Sequence, residues 1–227
     1  MRDWEEIKKI FNVQESRFAN TVQEILSNVY KVLKNEGVFQ NPEKVFANIG
    51  ESKPWRYQFV MNELRLRDVS KDRKYQRAFG GFYQIRLKWY KKFYYVLEKS
   101  KHRKKAKRLT LKEVMRSLYR YNHSFEYSFA SKLLHTVNPS NPVIDKKVLS
   151  CLGLRRPQRP NKTLSKSDID TLFNAYEAQY ELVRKVYQLF LKKPEVKKLF
   201  IKFDARFPDL ARIGEMKKID LILWQLK

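Results

Sequence analysis

Apolar residues recur along this chain at steps of three and four, and alternating runs of the strand type are scarce. That spacing predicts an all-α protein. A short helix is expected near Asp3–Phe11 and a longer one near Ser16–Asn35, with Phe18, Val22, Ile25, Val29 and Val32 on one face and Gly37 as the stop. Pro42 and Pro54 punctuate the next segments. A long aromatic and basic helix is predicted over Asp72–Lys99, where Gly80–Gly81 permits close packing or a kink. Thr110 and Glu113 form a capping box that starts a helix to about Asn122. After a joint at His123–Ser124, with Ser124 or Ser128 as cap, a further helix runs to about Asn138. Asp145 is placed to cap a short helix that Gly153 ends. Ser167 opens a long helix to about Lys193, Pro194 opens the next, and Met216–Lys227 closes the chain with a stripe of Ile219, Ile222, Leu223 and Leu226. No repeat of 20–50 residues is evident.

The length, 227 residues, suits a single all-helical domain, with lobes at 1–108 and 109–227 and a cleft between them as one arrangement. Apolar residues make up 43% of the chain, enough for a sizeable core. Charge changes the picture most. Forty-nine Lys and Arg face 24 acids, a net charge of +25, and such an excess repels itself unless a polyanion binds. Nucleic acid is the first candidate partner and a membrane surface the second. No apolar run approaches the roughly 20 residues needed to span a bilayer, and the acids of MRDWEEIKKI do not suit an export signal, so a cytosolic protein is expected. One cysteine excludes an internal disulfide, and one cysteine with three histidines makes a zinc or iron–sulfur site an unattractive expectation. Neither metal nor cofactor is expected. The segment Lys99–Arg108, with seven Lys or Arg and no apolar face, reads as an exposed arm, either merely solvated or touching phosphate through Arg103, Lys104 and Lys105.

The candidate chemistry lies in Ser124–Leu154. Lys132 sits inside a predicted helix, Asp145 just before the next, and the turn Asn138–Pro142 lies between them. Thirteen residues separate the two, so the helix can run out from Lys132 and the chain return to it. A carboxylate stabilises the positive charge that develops on a sugar as its N-glycosidic bond breaks, and a neutral amine can attack that carbon to form a Schiff base. Burial and nearby cations favour the neutral amine. Lys146, Lys147, Arg155 and Arg156 are close enough in sequence to supply that field, or to hold phosphates beside an extruded nucleotide.

With its FASKLL segment around Lys132 and the apolar-Pro-apolar lead into Asp145, the stretch resembles the helix-hairpin-helix DNA glycosylases, particularly their 8-oxoguanine glycosylase-like branch. The resemblance covers about Thr110–Leu154, with some support from the C-terminal helix. It implies a helix-hairpin-helix glycosylase-like bundle, with Lys132 as nucleophile and Asp145 as charge stabiliser and base. It points to Thr136, four residues past the lysine, as lining the base pocket, and to Trp224 as a base-stacking residue. Lys147 stands where the branch often has a DNA-contacting histidine. His123–Ser131 contains no glycine, where the family uses a glycine-containing hairpin to offer backbone N–H groups to a phosphate, and the lysine-to-aspartate spacing is shorter than usual. A divergent member is implied, such as a bacterial glycosylase acting on modified bases of phage DNA. Its partner would be double-stranded DNA with a flipped base, bound by a monomer, with a strand-nicking lyase step as a further implication.

Plainer readings exist for each residue. Lys132 alone is an ordinary surface lysine, and Asp145 alone is an ordinary N-cap. His135, one turn from Lys132, is either a third member of the pocket or a packed histidine. Trp89, Tyr90, Phe93 and Tyr94 suit the core better than a stacking platform. The alternative function is a non-catalytic helical DNA- or RNA-binding protein.

Overall fold

The computed structural model describes residues 15–50, 52–85, 90–102, 106–157, 163–210 and 212–226. Among them every α-helix or 3-10 turn is helical in type and no strand occurs, so the chain is all-α. The helices are α1 (Glu15–Asn35), α2 (Glu43–Ile49), α3 (Ser52–Glu63), α4 (Arg73–Tyr83), α5 (Tyr90–Lys101), α6 (Leu111–Asn122), α7 (Tyr127–Val137), α8 (Lys146–Cys151), α9 (Lys166–Phe190), α10 (Pro194–Arg206) and α11 (Glu215–Leu223). The helix expected at Asp3–Phe11 lies outside the described residues.

Local signals set most boundaries. The Thr110 hydroxyl accepts from the Glu113 N–H while the Glu113 carboxylate accepts from the Thr110 N–H, so α6 begins on the capping box. Pro194 opens α10, and Gly37 and Gly153 end α1 and α8 with φ of 65° and 69°. Other boundaries moved. The single helix expected over Asp72–Lys99 is two, because Gln84 adopts a left-handed conformation, φ 52°, and its N–H closes onto the Gly80 carbonyl. Gly80 and Gly81 are not the break; α4 runs through them, and Gly81 lets the Arg56 guanidinium lie where a Cβ would stand 2.9 Å from it. Neither Ser124 nor Ser128 caps α7. Its N-cap is Glu126, without a side-chain bond, and Ser128 lies within the helix. Ser165, not Ser167, caps α9, through a second capping box with Asp168.

Apart from Leu172 and Ala178, the buried apolar residues from Val22 to Leu226 form one continuous cluster. The long helix α9 runs through it, packing against α1 and α6; α5 lies on α6 and α7; α3 lies on α4. Helix α11 meets α2, α8 and α10, and all eight residues from Met216 to Leu223 are buried. A helix enclosed on every side is normally apolar throughout. Here it carries Lys217, Lys218 and Asp220, and each charge has a partner: Lys217 pairs with Asp220 one turn on, and Lys218 with Asp204 of α10. None of the described helices is long and apolar enough to cross a membrane.

Candidate active site

The α6–α7 pair turns at His123, whose φ of 52° and N–H bond to the Tyr119 carbonyl supply the left-handed joint without a glycine. Helix α7 then carries Lys132 outward, and the chain returns through Asn138–Ile144 to Asp145. Three side chains fasten that return. The Ser131 hydroxyl, fully buried, accepts from the Ile144 N–H at 3.0 Å and donates to the Ser128 carbonyl at 2.9 Å. The His135 Nδ1–H donates to the Asn141 carbonyl at 2.6 Å, which leaves Nε2 to accept from the Tyr57 hydroxyl at 3.0 Å. The Tyr180 hydroxyl donates to the Pro142 carbonyl at 3.0 Å. Ser131 precedes Lys132 and Ile144 precedes Asp145, so the Ser131–Ile144 bond sets the two functional candidates level with each other.

Lys132 and Asp145 line one cavity of about 280 Å³, just below the roughly 300–1,000 Å³ common for small-ligand pockets. The Asp145 Oδ1 accepts from the Val148 N–H at 3.0 Å and caps α8. Cap and cavity wall are therefore the same residue. The Lys132 ammonium donates to the Tyr83 carbonyl at the end of α4, 3.2 Å away, and lies 5.2 Å from the centre of the Phe129 ring. Among the described residues no carboxylate approaches it within 4.0 Å. Burial is the largest influence on this amine and pushes it towards the neutral form. Asp145 and Asp220 pull the other way, while Lys217 and Arg156 reinforce the push.

Trp224, at the C-cap of α11, closes one side of the cavity. The Lys147 ammonium sits 4.9 Å from the centre of its ring and donates to its carbonyl at 3.2 Å. Lys146, Lys147 and Arg156 are exposed at the mouth. A second groove of about 580 Å³ shares Lys146 and Arg156 with the cavity and adds Arg155. Lys132, Asp145, Trp224 and the four cations of 146–156 thus share one face. Arg103, Lys104 and Lys105 lie outside the described residues.

Thr136 and His135 do not line the cavity. Both are about 1% exposed. Thr136 points back along α7, its hydroxyl donating to the Lys132 carbonyl at 2.8 Å. The i+3 and i+4 positions do share a helix side with Lys132, but that side turns into the core one turn on. His135 is the packed histidine of the two readings, and its ring is held far below its usual titration range, to about 3, by burial first and by Lys217 second.

Four contributors to the site escaped the sequence. Nothing in the sequence around Ser131 signals its bond to Ile144. Tyr83 lay inside what read as one unbroken helix. Lys217 and Asp220 sat beside the stripe of Ile219, Ile222, Leu223 and Leu226 and drew no reading, although two opposite charges one turn apart in a mostly apolar segment are themselves a sign of a buried pair. Both line the cavity. No protein-family model, curated protein or solved structure matches this chain.

Proposed function

We propose that the protein is a DNA glycosylase that extrudes a damaged or modified base, with Lys132 as nucleophile and Asp145 as charge stabiliser and base, on a fold of the helix-hairpin-helix glycosylase type. The observation carrying this reading is that a lysine pressed towards neutrality and an aspartate with one unshared oxygen border the same cavity, beneath a cationic mouth.

In this scheme Trp224 stacks against the extruded base, while Arg155, Arg156, Lys146 and Lys147 hold the flanking phosphates. As the C1′–N bond lengthens, its electron pair moves to the base, and the Asp145 carboxylate faces the charge left on the sugar. The Lys132 lone pair then forms the C1′–N bond. The attacking nitrogen gives up a proton to Asp145, and the departing base takes one from solvent. Opening of the sugar breaks the C1′–O4′ bond as the nitrogen lone pair moves into C1′, O4′ takes the proton held by Asp145, and a protonated imine joins Lys132 to C1′. A lyase step would follow from that imine.

The test is incubation with duplex oligonucleotides that each carry one lesion or one phage-type modified base, with borohydride present to reduce the imine to a stable amine. A covalent adduct that maps to Lys132 is expected with at least one duplex. Asp145→Asn keeps an oxygen for the Val148 N–H, so it should fold normally and lose about 10²-fold or more in base release. No base release and no adduct across the panel would refute the enzyme. The second reading, a non-catalytic nucleic-acid-binding protein, is favoured by the exposed cations beside the groove and predicts unchanged or tighter binding in Asp145→Asn.

A further inference from the structure

We propose that the buried Lys217–Asp220 pair is a fixed dipole in the cavity wall that sets the protonation balance of the Lys132 amine. The proposal rests on the reading of Lys132 as the reacting group, but its test does not require base release.

The pair is enclosed, with side chains 3% and 7% exposed, and its ammonium and carboxylate are in direct contact. The Lys217 ammonium is also ringed by aromatic faces, 4.8 Å from the Phe82 centroid, 5.1 Å from Tyr83 and 5.4 Å from Tyr57. Taking two charges out of water costs more than their attraction commonly returns, and an apolar pair of similar volume would often serve stability as well. Stability is therefore a poor reason for this pair. Its position offers another. Both residues line the cavity that holds Lys132 and Asp145. The aromatic cage fixes the cation, and one helical turn fixes the anion, so neither charge can relax away when the cavity fills.

The charged groups acting on Lys132 come from three places. Asp145 stands at the N-cap of α8, Arg156 in the loop after α8, and Lys217 and Asp220 on α11. Lys146 and Lys147 stand at the mouth, and α4 contributes the Tyr83 carbonyl and ring. Asp220 favours the charged amine and Lys217 the neutral one. The two members thus oppose each other at Lys132, and removing either unbalances it in a known direction. Burial also pushes the Asp220 carboxyl above its usual range, against the pull of Lys217. Lys217 thus favours the carboxylate form of Asp220.

The test is competitive acetylation of the intact protein with trace acetic anhydride across pH, read lysine by lysine by peptide mass spectrometry, since only the neutral amine reacts. Asp220→Asn leaves the Lys217 charge unopposed and should move the Lys132 half-reaction point down by about one pH unit. Lys217→Gln leaves Asp220 unopposed and should move it up by a similar amount. Asp220→Glu should stay close to the wild type. Asn and Gln both keep a hydrogen bond across the pair, and either variant alone reads its own sign. Loosened packing would admit water and raise the point in both variants, so shifts of the same sign, or none, overturn the proposal. Opposite shifts without base release from any duplex would leave the dipole standing and remove the glycosylase reading instead.

Discussion

Acid should leave the His135 ring of the folded chain unprotonated well below the pH at which a free imidazole takes up a proton. His102 is 68% exposed and bonded to Glu98, and His123 is exposed at the α6–α7 joint. The His135 ring is closed in, with its Nδ1–H given to Asn141 and its Nε2 turned to the Tyr57 hydroxyl. A proton added at Nε2 would place an unpaired cation in the core near Lys217. The ring's titration is accordingly held down from 6.5 to about 3, by burial first and Lys217 second, with the Asn141 bond opposing. The unfolded chain still binds that proton near 6.5, so between the two values it holds more protons than the folded chain. Stability conferred by the neutral ring is complete above pH 6.5 and drains away as pH falls towards 3. The slope is about 1.4 kcal/mol per pH unit. From pH 6.5 to 4.5 the loss from this one residue is about 2–3 kcal/mol, a large share of the roughly 5–15 kcal/mol that holds a typical domain together. Ring-proton NMR between pH 7.5 and 4.5 should show the His135 resonances unmoved. Urea midpoints over the same range should fall with pH. A His135 resonance that titrates near 6.5 in the folded protein would refute the clamp, and with it the account of how Asn141 is held.

Ser131→Ala strands the Ile144 N–H in a fully buried site and should cost about 1–3 kcal/mol in urea unfolding, with a further loss in borohydride trapping as Lys132 and Asp145 lose their common level; an unchanged midpoint would exclude the clamp. Gly153→Ala puts a Cβ at φ 69° and 2.7 Å from the Asn28 amide nitrogen, so a destabilisation of about 1–2 kcal/mol or more is expected, read as a lower melting temperature. Replacing Arg155 and Arg156 with Gln should weaken duplex binding regardless of sequence and flatten the dependence of log K on log salt by about two units; an unaltered slope would move the DNA to another face.

The chain announces those features that a few neighbouring residues decide. A Thr and a Glu three apart satisfy each other's backbone within one turn, so the start of α6 could be read directly. The same holds for Asp145 before α8, Pro194 at α10 and Gly153 after α8, and the all-helical class follows from apolar spacing alone. The meeting of Lys132 and Asp145 was also legible, because thirteen residues and one turn leave the chain few other paths. Gln84 was not, since a left-handed residue without glycine is chosen by the packing of α4 against its surroundings and not by its own preference. Nor was the side on which His135 and Thr136 fall: a helical repeat names positions that share a face, but only the neighbouring helices decide which part of that face meets water. Lys217 and Asp220 are the extreme case. Their burial depends on α2, α8 and α10 closing around α11, so a stretch reading MKKIDLIL becomes the wall of a cavity through contacts made far away in the chain.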